Sequence, residues 1–121
     1  SSIGTTAHTT RMKKMISDED VEKAIDYLRD NAEAAAKARA ERIYMDEFRK
    51  SLKALIMKEH IDATVSAQER EAYADPRYQT HLEALRQAVY RDEKARFMRV
   101  AAEAKIEAWR TSSANQRAIS I

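Results

Sequence analysis

Apolar residues recur every three or four positions through most of the chain, which is the spacing of amphipathic α-helices. Ser17, with Asp20 three residues later, forms a capping-box pattern that predicts the start of a first long helix. Nothing after this start breaks a helix before about Ile61, and the segment AEAAAKARAER has very high helix propensity. We therefore expect one uninterrupted helix over this region.

A short connection separates this helix from a second long one. Ser66 and the glutamate three residues later predict a short helix over about 67–74. Asp75 followed by Pro76 is a strong start signal, because aspartate caps helices and proline suits the first helical position. The last helix should therefore run from Pro76 to about Ser112.

The apolar stripe of the first helix changes position along its length when residues are placed at about 100° each. The stripe of its first half consists of Val21, Ile25, Leu28, Ala32, Ala35 and Ile43. The stripe of its second half consists of Met45, Phe48, Leu52, Leu55 and Ile56, on nearly the opposite side. A straight helix with such a pattern must meet two different partners.

The last helix carries two apolar stripes. The larger one consists of Tyr78, Leu82, Leu85, Val89, Phe97, Val100 and Ala104. The thinner one consists of Ala84, Ala88, Ala95, Met98, Ala102, Ile106 and Trp109, and small residues let helices approach closely. Two helices alone would leave one stripe in water, so we expect self-association. The predicted oligomer interface consists of Ala88, Ala95, Met98, Ala102, Ile106 and Trp109, with Val21, Ile25 and Leu28.

An alternative is that the short helix and the two ends of the chain cover these faces within one chain. The composition supports helices in either case, because glycine and proline each occur once while 35% of residues are charged. We predict an all-α fold: two long helices joined by a short helical elbow in an elongated hairpin, assembled into a helical oligomer. The predicted regions are a flexible segment 1–16, a hairpin domain 17–112 and a polar tail 113–121.

The chain contains no cysteine, which excludes disulfides and thiolate chemistry. No apolar run approaches the ~18 residues that span a bilayer, and the polar start SSIGTTAHTT does not match a signal peptide. We therefore expect a cytoplasmic protein with no membrane partner.

Charge is unevenly distributed although the net charge is only +2. Residues 1–16 carry +3, residues 17–75 carry 10 basic and 15 acidic side chains (−5), and residues 76–121 carry 9 basic and 5 acidic ones (+4). Segments of opposite sign can pair with each other within one chain or between chains. A basic surface for nucleic acid is the other use of this asymmetry.

The basic last helix holds the residues that best suit recognition. Arginine beside an aromatic ring and amide side chains can hold phosphates or stack on bases. The predicted nucleic-acid or partner contacts are Arg99, Trp109, Arg110, Asn115 and Arg117. The alternative is a solvated charged face that meets the acidic helix of a neighbour.

Catalytic and metal-binding patterns are missing from the sequence. His60 and His81 have no partner at metal-ligand spacing, and no glycine-rich phosphate loop or serine nucleophile motif occurs. The carboxylates fit ion pairs along helices, with Arg42 beside Asp46 and Glu93 beside Arg96. We expect a non-enzymatic protein without a cofactor, a metal or a small-molecule substrate.

The last third of the chain resembles small helical proteins of tailed bacteriophages and prophages, encoded among early genes for DNA replication and recombination. The residues that carry the resemblance are Tyr73 before Asp75–Pro76, then Tyr78, His81–Leu82, Leu85, Ile106–Glu107, Trp109–Arg110, Asn115 and Arg117. The resemblance implies an accessory protein in a bacterial host cell that contacts a phage or host DNA-metabolism protein, with direct DNA contact as an extension. The alternative is a structural or scaffolding helical oligomer with no nucleic-acid role.

Overall fold

The computed structural model describes residues 16–120, which contain three α-helices and no β-strand. Helix α1 spans Asp18–Glu59, the short helix α2 spans Val65–Ala74, and α3 spans Pro76–Ser120. The two long helices pack as a hairpin. The predicted all-α class and the helical elbow are therefore confirmed, whereas the predicted flexible segment lies almost wholly outside the described residues.

The start of α1 is the predicted capping box. The backbone N–H of Asp20 donates to Ser17 Oγ, and the backbone N–H of Ser17 donates to Asp20 Oδ2, both at 3.2 Å. These two bonds satisfy donors that a helix end otherwise leaves unpaired.

The short helix α2 begins at Val65, two residues earlier than predicted. Thr64, not Ser66, caps α2 and accepts a hydrogen bond from the backbone N–H of Ala67 at 3.2 Å. Asp75 has extended backbone angles, and its Oδ1 accepts from the backbone N–H of Arg77 at 2.8 Å. The Asp75–Pro76 prediction is thus confirmed, because aspartate ends α2 and caps α3 together.

One compact unit consists of Ala32–Phe97 and contains the elbow. Its core holds Ile56, Ala72 and Tyr78, and Ile56 is the only large side chain among the described residues that is fully buried. Leu52 and Met57 pack against this core. The helices of this unit also meet at His81, whose Nε2 lies 2.7 Å from the carbonyl oxygen of Met45.

The other compact unit consists of residues 16–31 and 98–120. Val21, Ala24 and Ala102 are its buried residues. The indole Nε1–H of Trp109 on α3 donates to Asp18 Oδ1 on α1 at 2.8 Å. The unit is therefore held by small apolar contacts together with a polar link at the start of α1.

Most shielded positions of α1 follow a strict seven-residue repeat with alternating steps of three and four. They are Val21, Ala24, Leu28, Asn31, Ala35, Ala38, Arg42, Met45, Arg49, Leu52 and Ile56, each buried or partly buried. The predicted switch of the buried face halfway along α1 is therefore wrong. A face with a repeat of about 3.5 residues drifts by roughly 20° per heptad when it is placed at 100° per residue, or about 100° over five heptads, which is part of the apparent switch. The rest arises because Ile25, Ile43, Phe48 and Leu55, which are exposed, were counted as buried.

The matching row of α3 combines most of the thinner predicted stripe with Tyr78 and Leu85 of the larger one. Its shielded members are Tyr78, His81, Leu85, Ala88, Asp92, Ala95, Ala102, Ile106, Trp109 and Ser113. His81 and Trp109 of this row contact α1, so the row faces the chain's own first helix. Leu82, Phe97 and Val100 of the larger predicted stripe are exposed to solvent.

Most of the residues that were predicted to form an oligomer interface instead pack within one chain. Val21, Ala88 and Ala102 are buried within one chain, and Leu28, Ala95, Ile106 and Trp109 are partly buried there. Ile25 and Met98 remain exposed and available to a second copy. Self-association itself stays a prediction.

The predicted polar tail is helical. Helix α3 continues past Ser112 to Ser120, so the predicted helix end is wrong. The segment TSSANQRAIS contains no glycine or proline, and Ser112 and Ser113 are partly buried. Across residues 16–120, no helix combines the length and the apolar character that a membrane span requires.

Candidate functional site

Three of the predicted contact residues form a basic row on α3. Arg99, Arg110 and Arg117 are exposed, and their spacing places them within about 20° of one another around the helix. Asn115 is also exposed but points about 160° away from Arg99, so the structure does not bring it to this row. Arg110 lies 3.5 Å from Glu107 in an exposed pair, which is a weak contact that a phosphate could replace.

Trp109 does not join the basic row as a free ring. It is partly buried in the shielded row of α3, and its only N–H donor is bonded to Asp18. The facing segments also have opposite charge: residues 18–31 carry two basic and six acidic side chains (−4), and residues 98–120 carry four basic and two acidic ones (+2). Opposite net charges on facing segments attract each other, so this asymmetry favours pairing within the chain.

A charged cluster crosses the middle of the Ala32–Phe97 unit. Arg42 Nη1 donates to Asp92 Oδ2 at 3.0 Å and to Glu93 Oε1 at 2.9 Å. Arg96 bonds the same Glu93 at 2.8 Å, which confirms the predicted Glu93–Arg96 pair. Hydrogen bonds from Arg96 and then Arg42 lower the pKa of Glu93. The predicted pairing of Arg42 with Asp46 is wrong, because the cross-helix partners bind Arg42 instead.

A second cluster lies at the elbow. Arg77 donates two hydrogen bonds to the Glu59 carboxylate, one of them at 3.0 Å to Oε1, and two more to Asp75. These bonds lower the pKa of Glu59 and of Asp75, and they raise the pKa of Arg77. Ion pairs with several hydrogen bonds are among the strong ones, so this cluster holds the end of α1 against the start of α3.

The shielded row leaves one flank of the Ala32–Phe97 unit open. Helix α2 occupies the opposite flank, where Lys53 Nζ lies 4.6 Å from the Tyr73 ring centroid and Gln79 Nε2 donates to the Tyr73 carbonyl oxygen at 2.7 Å. On the open flank, Tyr44 and Phe48 stack with ring centroids 6.0 Å apart, and Phe48 lies 5.4 Å from the His81 ring.

The open flank has no charge at its centre. We name it the uncharged face and define it by Tyr44, Phe48, Ser51 and Leu55 on α1 with Thr80, Ala84 and Gln87 on α3. The helical spacing of these residues keeps them on the flank away from α2. The sequence pattern did not predict this face, because Phe48 and Leu55 were assigned to a buried stripe. The signal that could have revealed it is the absence of charged residues at these seven positions.

No metal site within residues 16–120 and no family relationship points to a further functional site. No group of three or more histidine and carboxylate side chains within residues 16–120 is placed to hold a metal ion. No known protein family, curated protein sequence or solved structure matches the chain.

Proposed function

We propose that this chain is a non-enzymatic accessory protein that acts through contacts with other proteins in DNA replication or recombination. The observation that carries the contact role is the imbalance of its apolar residues. Ile56 is fully buried, whereas Tyr44 and Tyr90 are each 63% exposed and Phe97 is 60% exposed. Large apolar side chains in such numbers on a helical surface favour binding to another protein surface.

The setting in DNA metabolism rests on two supports. One is the resemblance of the last third of the chain to phage and prophage helical proteins. The other is the basic row of Arg99, Arg110 and Arg117, whose exposed guanidinium groups suit phosphate contacts without selecting a base sequence. Trp109 gives no independent support, because its indole N–H is used within the chain.

A scaffolding role as a helical oligomer is the second candidate. Ile25 and Met98 are 48% and 45% exposed, and each is a member of the predicted oligomer interface. Copies that meet through these residues would form a larger helical assembly without any nucleic-acid contact.

Two measurements separate these functions. Affinity capture from a bacterial host cell that expresses the gene should recover one or more DNA-metabolism proteins; recovery of none at stoichiometric yield would contradict the contact role. Light scattering at two concentrations tests the scaffold, because only a self-assembling chain changes its mass with concentration.

The DNA extension is tested by gel shift at low salt. If the basic row binds DNA, affinity should fall steeply as salt rises, and Arg110→Glu with Arg117→Glu should weaken it while Asn115→Ala leaves it unchanged. Absence of a shift at low salt would remove DNA from the proposal and leave the protein contact intact.

A further inference from the structure

The two compact units differ in what their interiors hold. We name residues 16–31 and 98–120 the terminal unit, and Ala32–Phe97 the elbow unit. Among the described residues of the terminal unit, the largest buried side chain is that of a valine, and the other buried residues are two alanines. The elbow unit buries Ile56 completely and leaves Tyr78 only 4% exposed. Because the free energy of burial grows with the apolar area removed from water, the terminal unit gains less from it.

The ion pairs seen among the described residues of the terminal unit each lie within one helix and are well exposed. They are Glu19–Lys23, Asp26–Arg29, Asp30–Arg29 and Glu107–Arg110. Exposed pairs of this kind contribute little to stability, and these pairs do not hold one helix against the other. In the elbow unit, by contrast, Arg42 of α1 bonds Asp92 and Glu93 of α3.

A hydrogen bond between side chains joins the two segments of the terminal unit. The indole Nε1–H of Trp109 on α3 donates to Oδ1 of Asp18, the first residue of α1, at 2.8 Å and across 91 residues of sequence. Closing so long a loop costs conformational entropy unless the chain between the two residues is already folded. The terminal unit therefore depends on the elbow unit, which contains the turn of the hairpin and does not need the terminal unit in the same way.

We propose that the hairpin contains an opening device: the terminal unit opens while the elbow unit stays folded, and the bond from Trp109 to Asp18 is the latch. Opening of a weakly packed region below the cost of global unfolding is a general property of proteins. The inference goes beyond the proposed function, because it requires no partner. In the closed state the indole N–H is engaged by α1. The open state releases it beside Arg110 of the basic row, so that opening changes what α3 presents to a ligand.

The tryptophan content makes this opening measurable in the intact chain. Trp109 is the only tryptophan of the sequence, so its fluorescence reports on the terminal unit alone. In a urea titration, the midpoint of the fluorescence change should lie at a lower urea concentration than the main loss of helical circular dichroism, which reports on both units. Coincident transitions would mean that the chain unfolds as one cooperative unit and would overturn the proposal.

Hydrogen exchange of the native chain is the second readout. Amides of residues 24–31 and 100–109 lie at least one turn inside their helices, so fraying of the helix ends does not dominate their exchange. Relative to their intrinsic rates, they should exchange at least about tenfold faster than amides of residues 45–56 and 78–92 in the elbow unit. Equal protection of the two units would contradict independent opening.

Substitutions identify the latch. Asp18→Ala should speed exchange in the terminal unit by about three- to tenfold and leave the elbow unit unchanged, because the Trp109 N–H loses its acceptor. Trp109→Phe removes the donor and keeps an aromatic ring. It should also speed exchange, and adding Asp18→Ala to it should have little further effect.

Glu19→Ala is the matched control for the latch. Glu19 is also an acidic residue in the first turn of α1, but it pairs with Lys23 of the same helix. The control removes the same charge from the same helix end and should stay close to wild type. An Asp18→Ala variant that exchanges no faster than Glu19→Ala would overturn the latch, and equal acceleration in both units would overturn the separate opening.

Discussion

Arg42 of α1 and Asp92 of α3 are joined across the helix pair by a hydrogen bond of 3.0 Å from Nη1 to Oδ2. Both residues occupy shielded positions of the heptad rows, and the Asp92 side chain is only 17% exposed. A charged pair at such positions fixes the register of two helices, because any slip separates the charges in a poorly solvated place.

Removing one member of this pair should be worse than removing both. We expect Asp92→Leu alone, and likewise Arg42→Leu alone, to lower the melting temperature by several degrees; in the Asp92→Leu variant, for example, Arg42 keeps Glu93 alone as a partner across the helices. Arg42→Leu with Asp92→Leu should recover most or all of the loss, because apolar side chains suit these positions. Thermal denaturation of the four proteins in a double-mutant cycle measures the coupling. Additive losses would show that the pair does not act as a unit.

Stability should depend strongly on side-chain size at Ala102 of α3 and very little at the adjacent Ala101. Ala102 is 6% exposed in the row that faces α1, whereas Ala101 is exposed. Ala102→Leu should destabilise the fold by about 1–3 kcal/mol through overpacking, and Ala101→Leu should change it by less than about 0.5 kcal/mol. Urea denaturation gives both values. A stabilising Ala102→Leu would mean that the helices are not closely packed there.

Two neighbouring residues near the elbow should differ sharply in their contribution to stability. Ile56 is completely buried, and its replacement by alanine should cost about 2–5 kcal/mol of unfolding free energy because a cavity remains. Leu55→Ala should cost far less, because the Leu55 side chain is 56% exposed. Chemical denaturation of both variants checks the difference; equal destabilisation would place Leu55 in the core.

The elbow cluster predicts a pH dependence with a definite sign. Hydrogen bonds from Arg77 lower the pKa of Glu59 and Asp75 from ordinary values of 4.5 and 3.8. Their contribution to stability is therefore complete above those values and is lost as the pH falls through the lower pKa of the folded state. Arg77→Gln should lose less stability than wild type on acidification.

Melting temperatures between about pH 6 and pH 3 measure this effect. The control is Arg86→Gln, because Arg86 is 75% exposed in a pair with Glu83 and should leave the wild-type slope unchanged. Curves for wild type and Arg77→Gln that run parallel would show that the elbow carboxylates do not drive acid sensitivity.

Local sequence signals predicted the helices but not the pairing of their faces. Ser17–Asp20 and Asp75–Pro76 were read correctly, because capping depends on residues within one turn. Thr64 was missed in favour of Ser66, since both hydroxyl residues fit the same pattern and only the chain's path selects one. The end of α3 was missed because polar residues without glycine or proline are compatible with both helix and tail.

The buried face was misread partly because the helices follow a 3.5-residue repeat, and partly because the exposed Phe48 and Leu55 were assigned to it. The sequence shows a row spaced by seven, which consists of Ala88, Ala95, Ala102 and Trp109. This row was predicted to contact a second copy of the chain. Burial within one chain and the bond of Trp109 to Asp18 assign it to the hairpin itself. Contacts 50 to 90 residues apart in sequence, such as Arg42–Asp92, left no local signal.

The most direct test of the proposed contact role is NMR mapping of the isotope-labelled chain during titration with a protein recovered by affinity capture. Amide shifts should concentrate around the exposed apolar side chains of Tyr44, Tyr90 and Phe97. Shifts confined to the basic row of Arg99, Arg110 and Arg117, or spread evenly along all three helices, would contradict the account.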